Sequence, residues 1–140
     1  MKKILTITLL IAICLTSVLL VSCKKIDAEG LWADATYRSD KSFGKGEKTI
    51  TVDVVVEEKS VTFTIKTDKE TLGDALVEHK LIEGEDGPFG LYVKKVNGIY
   101  ADYDKDGYYW GLQKNGEVCM SGVDSTTISD GEHYELVLTK

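Results

Sequence analysis

Ile50, Val52, Val54 and Val56 alternate with Thr49, Thr51, Asp53 and Val55, and after Glu57-Glu58-Lys59-Ser60 the alternation resumes at Val61, Phe63 and Ile65. In extended backbone successive side chains point to opposite faces, so this pattern collects β-branched and aromatic residues on one face of a two-strand hairpin. The other face carries Thr51, Asp53, Thr62, Thr64 and Lys66 and is suited to water. Whatever else the chain does, it must cover that apolar face.

Period and turn chemistry then change. Leu72, Ala75 and Leu76, with Leu81 beyond them, recur at helical spacing behind Thr71, whose hydroxyl can cap a helix start that also carries Asp74. The spacing predicts a short amphipathic helix over residues 72–80, ended before a loop, Gly84-Glu85-Asp86-Gly87-Pro88, where the only proline of the chain sits among turn formers. Three further stretches read as strands: residues 91–96 before Asn97-Gly98, residues 108–114 before Asn115-Gly116, and residues 133–139. Both residues of Asn-Gly accept positive φ, so residues 108–114 are expected to pair back with residues 117–121. Strand, strand, helix and further antiparallel strands predict an α+β fold, a small β-grasp-like domain of five strands whose one helix covers a sheet face.

The N-terminus carries a different signal. Lys2 and Lys3 precede an uncharged apolar run over residues 4–20, a little short of the roughly 20 residues a spanning helix needs, and this is the make-up of a secretory signal peptide. The run ends at Leu20-Val21-Ser22-Cys23, which resembles the bacterial lipobox, where the cysteine receives a diacylglyceryl group before cleavage. The resemblance implies that residues 1–22 are removed and that Cys23 is the lipidated first residue, holding the protein on the extracytoplasmic face of the cell membrane. Each buried methylene contributes roughly 0.8 kcal/mol, so two or more acyl chains hold where one would not. Residues 23–46 then read as lipidated N-terminus and tether, with Leu31, Trp32, Ala35 and Tyr37 able to add a short strand or to lay Trp32 on the domain, and residues 47–140 as the domain itself.

Charge and cysteine usage narrow the partners. Losing Lys2 and Lys3 takes the formal net charge from −6 to −8, which repels nucleic acid and anionic polymers and leaves small molecules or surface proteins open. With Cys14 in the leader and Cys23 acylated, Cys119 stands alone. No intramolecular disulfide can form, and Cys119 reads as a small packing residue without a neighbouring group to activate its thiol.

Several pieces together resemble a known family. Thr71-Leu72-Gly73-Asp74-Ala75-Leu76, Val96-Asn97-Gly98 with Asp102-Tyr103, Tyr109-Trp110, Asn115-Gly116-Glu117, Gly122-Val123 and Asp130-Gly131 follow one another as in the C-terminal domain of transcobalamin and intrinsic factor, a domain also found in bacterial surface lipoproteins as one of unknown function. Leu31-Trp32 and Ala35-Thr36-Tyr37 extend the likeness upstream. In the vitamin carriers this domain is the smaller lid over cobalamin, and a large helical domain, with no counterpart legible here, supplies the other side. The resemblance implies a small-molecule binding module without a cofactor of its own, with cobalamin or a related corrinoid as the ligand.

From the residues, a ligand surface is expected on Tyr108, Tyr109 and Trp110 with the turn at Asn115 and Gly116, since clustered aromatics offer flat apolar area with little side-chain entropy to lose. Plainer roles compete: Trp110 and Leu112 share a strand face and can be core, and Asn115-Gly116 can be turn chemistry alone. Asp102, Asp104 and Asp106 with Gly107 match the front half of a calcium loop, but position twelve is Gln113 instead of a bidentate carboxylate, and a solvated acidic turn is the default. His79 and His133 lack zinc spacing. No nucleophile elbow, phosphate-binding glycine loop or dinucleotide fingerprint occurs, so the chain reads as non-enzymatic. Two functions stay open. Capture of a corrinoid or other planar small molecule at the cell surface predicts exposed aromatics clustered with Tyr109. A protein-interaction or accessory scaffold domain of a surface or transporter assembly predicts an uncovered edge strand and buried aromatics.

Overall fold

The computed structural model describes residues 30–140, and Leu31–Lys140 form a compact unit with its own core. The signal peptide over residues 1–22 and the lipidation site Cys23 lie outside the described residues. Among the described residues no helix is long and apolar enough to cross a membrane.

The alternating hairpin forms as the pattern requires. Strand β1 (Lys41–Phe43) precedes β2 (Lys48–Val56) and β3 (Lys59–Thr67), and β2 and β3 pair antiparallel over their whole length. Ile50, Val52, Val54, Val56, Val61, Phe63 and Ile65 are all buried. Helix α1 (Leu72–Glu78) follows, capped by the Thr71 hydroxyl, which accepts from the Asp74 amide at 3.2 Å. The helix ends because Lys80 turns left-handed at φ 56°, letting the Leu81 amide donate to the Leu76 carbonyl.

Beyond the helix run β4 (Ile82–Gly87), β5 (Gly90–Val96), β6 (Ile99–Tyr100), a single turn α2 (Tyr103–Asp106), β7 (Tyr109–Lys114), β8 (Glu117–Val118), a 3-10 turn at Val123–Ser125, and β9 (His133–Thr139). Two sheets result. The larger has the order β1-β3-β2-β9-β7-β8, with β1 parallel to β3 and β9 parallel to β2; the smaller is β4-β5-β6. One core draws on both sheets and α1, with Leu72, Ala75, Leu76, Ile82, Val96, Ile99, Trp110 and Leu136 buried in it.

The described residues thus form a mostly-β α+β domain, in which nine strands in two sheets replace the five-strand β-grasp arrangement. Central strand β9 slots beside β2 from the far end of the sequence, a non-local pairing that no local periodicity announces. The loop expected at Gly84-Glu85-Asp86-Gly87-Pro88 is largely strand, with Pro88-Phe89 alone turning between Gly87 and Gly90. Residues 83–87 are exposed throughout, so no apolar alternation marks them.

The stretch read as tether also divides. From Leu31 the chain is part of the compact unit: Trp32 is buried, its Nε1 donating to the Val56 carbonyl at 3.2 Å. The Tyr37 ring meets Phe43 and Phe63 edge-on at 5.4 and 5.8 Å, and β1 lines up on β3.

Candidate functional site

The two sheets meet without hydrogen-bonded pairing where β5 passes β7, and an apolar pocket of about 130 Å³ opens along that seam. Leu91, Tyr92 and Val93 form one wall, Trp110 and Leu112 the other, with Val123 beside them. Trp110 bridges the sheets, its Nε1 donating to the Ile99 carbonyl at 3.2 Å. Asp124 fixes the adjoining 3-10 turn, its carboxylate accepting from the Leu91 amide at 2.9 Å. Gly73 and Gly90 make room for it, because a Cβ on either would press on the Asp124 side chain.

The two most exposed large apolar side chains among the described residues lie on chain segments that lead into this pocket. Phe89 is 90% exposed and Met120 98% exposed, each two residues from a pocket-lining position, Leu91 and Gly122. Their segments meet: a Cβ on Gly122 would stand 3.9 Å from the Phe89 carbonyl oxygen. Neither side chain belongs to the core. Sequence reasoning missed both, although a Phe between Pro88 and Gly90 and a Met before Ser121-Gly122 are apolar residues inside turn chemistry, a signal that could have marked them.

The aromatic set Tyr108, Tyr109 and Trp110 does not form one surface. Trp110 is buried toward the seam; Tyr109 points away from it, 40% exposed, with its ring edge-on to exposed Tyr103 at 6.2 Å. Lys140 lies over the Tyr108 ring, 5.3 Å from its centroid. Asn115 and Gly116, at φ 52° and 82°, make the β7–β8 turn, as the plainer reading held. Cys119 is half-buried and unpaired.

The Asp102, Asp104 and Asp106 stretch is the helical turn α2 with its lead-in. Asp102 caps it by accepting from the Asp104 amide, and Asp106 accepts from the Asp102 and Tyr108 amides. One Asp102 oxygen and the Asp106 carboxylate thus face backbone donors. Asp102 also lies 3.6 Å from the Lys94 ammonium, which pairs with Glu85 at 3.2 Å, and accepts from the Tyr100 hydroxyl at 3.3 Å. The Glu85 bond is the main force raising the Lys94 pKa. Burial works against ionisation of Asp102, but the Asp104 amide, the Lys94 ammonium and the Tyr100 hydroxyl together outweigh it and hold the carboxyl below its usual range.

The two histidines lie apart in the fold. His133 sits on the open face of the large sheet, with Nδ1 2.6 Å from the Thr51 hydroxyl and Nε2 3.2 Å from Asp53. His79 packs its ring on Phe43 at the end of α1. Among the described residues no three His, Cys, Asp or Glu side chains are grouped to hold a metal ion.

Comparison with known proteins bears on fold first. The model of a domain of unknown function (DUF4430) matches residues 69–139. A candidate metal-binding protein from Ruminococcus gnavus ATCC 29149 aligns at 36% identity with a TM-score of 0.63, covering 67% of this chain and 98% of that one. Haptocorrin in complex with Cbi, cobinamide, aligns at 22% identity with a TM-score of 0.51, covering 70% of this chain and 26% of haptocorrin, a likeness of fold. No curated protein sequence matches.

Proposed function

The chain belongs to the DUF4430 family, and from that premise we propose that it is a non-enzymatic binding module, anchored on the extracytoplasmic face of a membrane through Cys23, that takes the edge of a corrinoid or similar planar ligand at the seam between its sheets. The seam pocket with Trp110 in its wall, flanked by solvent-held Phe89 and Met120, carries this reading. Exposed apolar side chains beside an apolar pocket offer the area on which a flat ligand face can be buried.

At about 130 Å³ the pocket is smaller than the roughly 300–1,000 Å³ of a self-sufficient ligand site. It therefore supplies one wall of a site, and a second surface supplies the other. Haptocorrin, whose fold this domain matches over 26% of its length, supports such a division. Metal binding, the provisional role of the Ruminococcus gnavus protein, has no supporting cluster among the described residues.

Calorimetric titration of the unit Leu31–Lys140 with cobinamide and with cobalamin tests the proposal. Saturable heat that Phe89→Ser and Met120→Ser each reduce supports it. A flat titration at high micromolar ligand overturns capture by this domain and redirects the exposed apolar pair to a protein partner.

A further inference from the structure

We propose a second site, independent of the seam: the groove on the small sheet binds a neutral sugar ring, stacked on Tyr100 and hydrogen-bonded by Glu83, Glu85, Lys94 and Lys95. The groove is an open surface depression of about 330 Å³, lined by those five residues with Gly84. Its size falls within the range of small-molecule sites.

A β-bulge builds it. Along β4 and β5 the register runs from Glu83 opposite Lys95 to Gly84 opposite Val93, which leaves Lys94 as the extra residue. Regular alternation would send Lys94 and Lys95 to opposite faces; the bulge re-aims them so that both reach the groove. Gly84 is required at that point, because a Cβ there would collide with the Tyr92 carbonyl oxygen. Glu83, Lys95 and Tyr100 form one cross-strand row.

The chemistry selects the ligand class. Two carboxylates of the lining, Glu85 and Glu83, pair with Lys94 at 3.2 Å and with Lys95 at 3.8 Å. With Asp102 also 3.6 Å from Lys94, three carboxylates stand against two ammonium groups, so the rim disfavours anions while its paired groups present acceptors beside donors. A vicinal diol matches that pattern, one hydroxyl donating to a carboxylate while its neighbour accepts from an ammonium. Among the lining residues Tyr100 is half-exposed, and its hydroxyl donates to Asp102 over a long 3.3 Å, which leaves the ring available to a ligand. An apolar pyranose face stacks on such a ring.

The test is amide NMR on the unit Leu31–Lys140, titrated to tens of millimolar with the methyl glycosides of glucose, mannose, galactose and N-acetylglucosamine. At least one glycoside is expected to give saturable shifts confined to residues 83–85, 94–95 and 100. Tyr100→Ala should weaken that binding roughly tenfold, by loss of the stacking face; Glu85→Gln should weaken it too, and Tyr100→Phe should retain most of it. Absence of shifts with all four glycosides, shifts that survive Tyr100→Ala, or a stronger response to acetate or methylammonium would overturn the proposal. Corrinoid titration of Tyr100→Ala should match the unchanged protein, so the two sites can fail separately.

Discussion

The indole nitrogen of Trp110 donates to the carbonyl of Ile99 across 3.2 Å, tying a strand of the large sheet to a strand of the small one. Since both residues are buried, that carbonyl has no water to turn to if the donor is removed. Trp110→Phe should therefore cost about 1–3 kcal/mol and Trp110→Ala about 3–5 kcal/mol, measured by urea unfolding. A loss below the error of the measurement would show that the sheets hold together without this bond.

Asn97 is legible as a turn residue, and it is also a bracket for the N-terminal segment. Buried at φ 50°, its side chain accepts from the Tyr37 amide and donates to the Tyr37 carbonyl, both at 2.8 Å. Asn97→Ala should cost about 2–3 kcal/mol through two stranded backbone groups. Hydrogen exchange should show residues 31–40 opening before the rest of the unit.

Glu132 supplies the clearest pH dependence. Burial opposes its ionisation, yet the Lys114 ammonium at 2.8 Å, the Tyr134 hydroxyl and the Ser129 amide outweigh that and lower its pKa below the ordinary 4.5. Burial and the Glu132 bond in turn raise the Tyr134 pKa. A carboxyl whose pKa is depressed by folding stabilises the native state fully above its unfolded value and loses that contribution as pH falls through the folded value. Stability should decline below about pH 4.5, and Glu132→Gln should flatten that decline while costing about 1–2 kcal/mol at neutral pH. Unfolding curves collected between about pH 7 and about pH 3, which span the carboxylate range, check the sign.

Phe89→Ser and Met120→Ser should change stability by no more than about 0.5 kcal/mol, because neither side chain is buried. A larger drop in melting temperature would assign them a packing role and remove the observation that points to a ligand.

Asn115→Ala should cost about 1 kcal/mol through its left-handed backbone, and should leave ligand titrations unchanged. A change in binding at constant stability would return Asn115 and Gly116 from turn chemistry to the ligand surface.

The sequence by itself determined the elements whose own residues set them. Alternation placed β2 and β3, helical spacing and the Thr71 cap placed α1, and Asn-Gly pairs placed the turns after β5 and β7. These are local effects, decided within a few residues by backbone sterics and side-chain period. Strand alternation already set Trp110 and Tyr109 on opposite faces, but tertiary structure alone decided that β9 lies beside β2 and that exposed β4 is a strand. The same holds for both candidate sites. The seam pocket exists where β5 passes β7 without pairing to it, beside Trp110, and the groove exists because a bulge brings Lys94 and Lys95 to one side. Each depends on which segments lie side by side, a choice made by burying the whole core at once.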